Sequence, residues 1–254
     1  MTPPPSVLVG LVALQAGYLL CTRRRAVPVG RKVAFVAGVL TLALALLSPL
    51  DDLSDHYLFT AHMIQHLLLT LVAAPLLLVG TPGWLLRDLL RATRLLNLAR
   101  VARHPLLAFG LFNLVFCLAH VPPLYELALA NEPLHAAEHL AFLATAVLMW
   151  MPVLSPVPGL LPRYPPIGQV LYLFLQTIPS GLVGALLAAS SSAVYATYAL
   201  APRVTPLSAQ EDQQLGGLIM WVGTGFYFLI ASGVVFFCWA SREEAANRRP
   251  IGAI

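Results

Sequence analysis

Seven stretches of the chain are long and apolar enough to cross a bilayer, and this governs what the chain can fold into. They are Val7–Cys21, Val33–Leu50, Tyr57–Val79, Pro105–Val121, His135–Leu154, Ile167–Ala189 and Gly217–Trp239. A hydrocarbon core offers no water to loose backbone groups, so each stretch is expected to be an α-helix. Only 10% of the residues are charged, against roughly 25% in soluble domains. A soluble enzyme, a nucleic-acid binder and a disordered tail are therefore excluded as readings. The three cysteines, Cys21, Cys117 and Cys238, form no CxxC and no even framework, which argues against a disulfide scaffold or a thiolate cage. Cys21 and Cys238 read as packing residues.

The basic residues give the expected orientation. Fourteen of the fifteen Lys and Arg residues follow the first, third, fifth or seventh stretch, and Arg203 alone follows an even-numbered one. The positive-inside rule then places the N-terminus outside and the C-terminus in the cytoplasm. No positive region precedes the first stretch and no clear cleavage site follows it, so it reads as a retained span. Leu pairs alternate with Arg at helical spacing over Trp84–Arg103, which predicts an amphipathic helix on the cytoplasmic face. The expected architecture is all-α, with seven transmembrane helices in one polytopic membrane domain, residues 1–254.

With that topology, six of the seven histidines fall at the outer surface. His62 and His66 lie in the outer half of the third span, His135 and His139 at the start of the fifth, and His120 at the end of the fourth. His56 falls in the outer loop with Asp51, Asp52 and Asp55, carboxylates that either keep that loop outside or attract cations. His104 is cytoplasmic. The spacing of His62–His66 and of His135–His139 places each pair one turn apart on a helix face. Polar groups inside a span are costly and tend to be functional, whereas His56 and His104 read as ordinary interfacial residues.

Converging imidazoles suit copper or zinc. Met63 and Met220 are possible thioether ligands, and Cys117 is expected to share a face with His120. His135–Ala–Ala–Glu138–His139 also matches the H-x-x-E-H zinc-peptidase pattern, with Glu126 or Glu132 as a further ligand. Ser208–Ala–Gln–Glu211 reads as a capping box that starts the last helix before it enters the membrane. Pro179–Ser180–Gly181 predicts a kink, and Gly184, Gly216, Gly217, Gly223 and Gly225 predict close helix contact.

Ala61–Pro82, His120–Leu129 with the following His135–His139, and Glu211–Val222 together resemble the multi-span CtaG-type family of cytochrome c oxidase assembly factors. The resemblance covers the third to seventh spans, and the first two match only as generic apolar segments. It implies a multi-pass protein of the bacterial cell membrane that matures a haem–copper oxidase. It further implies delivery of copper to the Cu(B) centre, with the oxidase catalytic subunit and the lipid bilayer as partners. The metal holders expected from position are His62, His66, His135 and His139, assisted by His120 or Met63, near the outer face.

Two other readings use the same histidines. One is a zinc-dependent membrane hydrolase with Glu138 or Asp212 activating water. The other is a haem-binding protein with axial ligands drawn from the two pairs. A retinal protein is excluded because the only lysine, Lys32, sits at the edge of the second span.

Overall fold

A computed structural model describes residues 5–93 and 104–247, and every apolar stretch in it is helical. In chain order the helices are α1 (Pro5–Thr22), α2 (Val29–Leu47), α3 (Pro49–His56), α4 (Phe59–Gly80), α5 (Gly83–Ala92), α6 (Pro105–Ala119), α7 (Pro122–Leu129), α8 (Glu132–Leu154), α9 (Pro166–Ala188), α10 (Ala196–Leu200) and α11 (Ala209–Ala246). Six of them, α1, α2, α4, α8, α9 and α11, are long and apolar enough to span a membrane. Helices α6 and α7 meet at 78° and make a seventh span if the bent pair is counted as one.

Prolines set the interruptions. Ser48 takes extended backbone (φ −92°, ψ 173°), because the residue before a proline is pushed out of the helical region. Its side chain then accepts the Leu50 N–H and starts α3. The expected second span therefore stops before Pro49, and the acidic loop is instead a short helix. Val121 is likewise extended ahead of Pro122, which makes the α6–α7 bend.

Helix α4 lies at the centre, packed on α2, α3, α8 and α11, and it is the most deeply buried of the spans. Both of its ends are finished by other helices. The Phe59 and Thr60 N–H groups donate to the Asp212 carboxylate at 2.7 and 3.2 Å. The Val79 and Thr81 carbonyls each accept from Arg31 at 3.1 Å. An anion at the amino end and a cation at the carboxyl end both suit the helix dipole.

A π-helical turn, Leu68–Ala73, interrupts α4 just after His66. Pro75 explains the free carbonyls there, since it has no N–H to give to Leu71 or Thr70. Trp150 Nε1 of α8 donates to the Thr70 carbonyl at 3.0 Å, and the Tyr227 hydroxyl of α11 donates to that of Leu71. The missing backbone bonds thus become ties between three helices. A second π turn, Ile219–Gly223, lies in α11.

Helix α9 closes on α11 through glycine. A Cβ on Gly184 would sit 2.7 Å from the Gly217 carbonyl oxygen, and one on Gly217 2.7 Å from the Ala188 nitrogen. A Cβ on Gly216 would meet the Phe59 ring at 2.5 Å. Gly223 and Gly225 do not join this contact. A Cβ there meets nothing closer than Ile219 of the same helix, 3.8 Å from Gly223. Helix α9 runs unbroken through Pro179. All three cysteines are exposed on the helices, which corrects the packing role expected for Cys21 and Cys238. The described part of the amphipathic segment is α5, which buries no residue. The remainder expected to be helical, residues 94–103, lies outside the described residues.

Candidate metal centre

Helices α4 and α8 begin at the same end of the bundle, and their first turns carry the two histidine pairs. His62, His66 and His135 each bring a ring nitrogen into one group whose atoms all lie within 4.8 Å of one another. The rings of His62 and His66 are 4.3 Å apart, and those of His62 and His135 stack at 5.4 Å. His139 lies against this group, 4.3 Å from the His135 ring and 5.3 Å from that of His66.

The cluster is closed in on most sides. Tyr125 stands 5.1 Å from the His62 ring, and Phe142 stands 4.5 Å from that of His66. Above them Phe59, Tyr125, Tyr195 and Tyr198 form a buried aromatic roof. Tyr125 donates to the Tyr198 hydroxyl at 2.9 Å, and Tyr198 donates onward to the Ser54 carbonyl at 2.6 Å.

Within this enclosure the imidazole nitrogens lack partners. Both nitrogens of His62 and of His66, and Nε2 of His120, His135 and His139, are buried with no hydrogen-bond partner among the described residues. Each such orphan costs about 1–3 kcal/mol, and native interiors rarely tolerate them unless something binds there. His120 occupies the α6–α7 bend, where its Nδ1 lies 2.7 Å from the Phe116 carbonyl. A carbonyl only accepts, so Nδ1 carries the proton and Nε2 presents a bare lone pair.

Two carboxylates border the cluster. Glu138 Oε1 is 3.8 Å from His66 Nε2, and Asp55 Oδ2 is 3.5 Å from His135 Nδ1. Asp55 comes from α3, where the sequence reading expected a loop. Ser48–Pro49–Leu50–Asp51 has the form of a helix start and was the signal that would have found it. Burial raises the Asp55 carboxyl, but the His135 imidazole beside it and the Ser54 hydroxyl that donates to it outweigh burial and hold the group below its usual range. One turn earlier, Asp51 is pushed up to about 6 by burial and by Asp55, although Gln65 donates to it at 2.7 Å.

The other expected residues are placed elsewhere. Met63 is buried in the apolar core, its Cγ 3.4 Å from where a Gly216 Cβ would stand, so it faces α11. Met220 is buried where α9 meets α11. Cys117 is exposed while His120 is buried, because the helix ends between them and their shared face is lost. Glu126 accepts from Thr197 at its backbone N–H and hydroxyl, and Glu132 is exposed at the start of α8. Asp212 is committed to capping α4. His56 is exposed beside Asp52, and His104 is exposed ahead of α6.

The family model described as cytochrome c oxidase caa3 assembly factor matches residues 14–242. An uncharacterized protein of Mycobacterium bovis and one of Mycobacterium tuberculosis are each 26% identical to the chain over 266 residues. Each match covers 94% of this chain and 38% of the relative, so the chain spans well under half the length of these proteins. No solved structure matches.

Proposed function

This chain belongs to the cytochrome c oxidase caa3 assembly factor family, and from that premise we propose that it holds copper between His62, His66 and His135 and passes it to the Cu(B) centre of a haem–copper oxidase. The supporting observation is the convergence of ring nitrogens of His62, His66 and His135 in one group, all buried, with five of their nitrogens finding no hydrogen-bond partner among the described residues. Three ring nitrogens within 4.8 Å suit one ion, and imidazole is a favoured ligand of copper. Copper here is cargo. His139, whose ring lies against those of His66 and His135, is the place where a ligand can be exchanged, one bond forming as another breaks, with the bare Nε2 of His120 as a further acceptor for the departing ion. The catalytic subunit of the oxidase is the recipient, and the bacterial membrane the setting. With the orientation expected from the basic residues, the cluster lies near the outer face.

A zinc hydrolase is the second reading, and the position of Glu138 beside His66 favours it, since a general base belongs next to a metal-bound water. Asp212 drops out of that scheme because its carboxylate is occupied by backbone.

Metal analysis of the purified, detergent-solubilised chain separates the two, beside a variant carrying His62→Ala, His66→Ala and His135→Ala. About one copper per chain, lost in the variant together with copper in the co-expressed oxidase, is the expected result. Zinc in its place supports the hydrolase. Unchanged oxidase copper in the variant overturns the delivery role.

A further inference from the structure

Among the three clustered histidines, His135 is distinguished by how its ring is held. Its Nδ1 faces Asp55 Oδ2 at 3.5 Å, while its Nε2 is buried with no partner. Among the described residues His62 has no hydrogen-bond partner on either nitrogen, and the carboxylate beside His66, that of Glu138, is at 3.8 Å. The ring of His62 is set by packing against Tyr125, and that of His66 by packing against Phe142 with the Glu138 carboxylate farther off than Asp55 is from His135.

Asp55 is itself fixed. Its second oxygen accepts the Ser54 hydroxyl at 2.9 Å. The helix that carries it is anchored on two further sides. Gln65, the neighbour of His66, donates to Asp51, and Tyr198 donates to the Ser54 carbonyl. The carboxylate is thus presented to His135 Nδ1 from a short helix tied to α4 and α10. A ligating imidazole whose other nitrogen donates to a carboxylate has a set tautomer, a set orientation and greater basicity.

We propose that Asp55 is a positioning residue of the metal centre, holding His135 by Nδ1 so that Nε2 joins His62 and His66 around the ion. The proposal rests on the metal reading above and adds a residue that touches no metal.

The test uses the full chain in detergent, titrated with Cu(I) against a chelator of known affinity, with X-ray absorption at the copper edge to count imidazole ligands. Asp55→Ala is expected to weaken copper binding by about 10–100-fold and to reduce the imidazole shell from three to two. Asp52→Asn removes an exposed charge from the same helix, paired with His56, and is expected to change neither reading. Three imidazoles at wild-type affinity in Asp55→Ala overturn the proposal. An equal loss in Asp52→Asn also overturns it, since general negative charge would then be the cause. Should Asp55→Ala fail to fold, Asp55→Asn decides. A roughly tenfold weaker affinity supports positioning, and an unchanged one overturns it. A wild-type chain that binds no copper overturns the metal reading itself, a different result from a wild type that binds copper with an Asp55 variant that binds it equally well.

Discussion

Asp51 and Asp55 stand one turn apart on the same short helix and titrate in opposite directions. Asp55 faces an imidazole and is held down, whereas Asp51 faces the Gln65 amide, is half-buried, and is pushed up to about 6. A carboxyl raised on folding binds its proton more tightly in the folded state, so its contribution to stability falls as pH rises from about 4 to about 6. Above that window the full penalty of a buried charge is present. Asp51→Asn removes the penalty, and the gain is discounted to about 1 kcal/mol because the group is partly solvated. Thermal melts in detergent are expected to coincide for wild type and Asp51→Asn near pH 4. They should separate in favour of the variant up to pH 6 and stay parallel above it.

At the level of the helix, Pro75 frees two carbonyls that Trp150 and Tyr227 then occupy. Tyr227→Phe leaves the Leu71 carbonyl orphaned in an apolar setting and is expected to destabilise the bundle by about 1 kcal/mol. Pro75→Ala restores an N–H four residues from Leu71. In a double-mutant cycle the Tyr227→Phe cost is therefore expected to shrink when residue 75 is Ala, and additive costs would rule out the compensation. This tie was not legible beforehand. An apolar stretch shows the length of a span, but an extra residue in a turn leaves the hydrophobic pattern almost unaltered. One helix start was more readable, because the Ser208–Glu211 capping box acts through local backbone chemistry, and it forms as expected. The histidine pairs were readable for the same reason, being set by helical spacing alone. Asp55 was read only as one of three loop carboxylates, because it meets His135 only through a third helix packed on α4.

Across the whole molecule, the histidine cluster occupies one end of the bundle, and the basic residues predict that this end faces outward. Single cysteines in a background lacking Cys21, Cys117 and Cys238 give the check. A membrane-impermeant maleimide is expected to label Asp52→Cys in spheroplasts, and Asp88→Cys only after the membrane is broken. The reverse pattern would invert the orientation. The capping of α4 by Asp212 has a consequence for how the protein is made. Phe59 and Thr60 leave the ribosome some 150 residues before the carboxylate that accepts their N–H groups. Throughout translation of the intervening spans the helix bearing His62 and His66 has an unfinished end. The end of α4 that carries the histidine pair is therefore capped only once the last helix has been made, although every clustered histidine has by then long been synthesised.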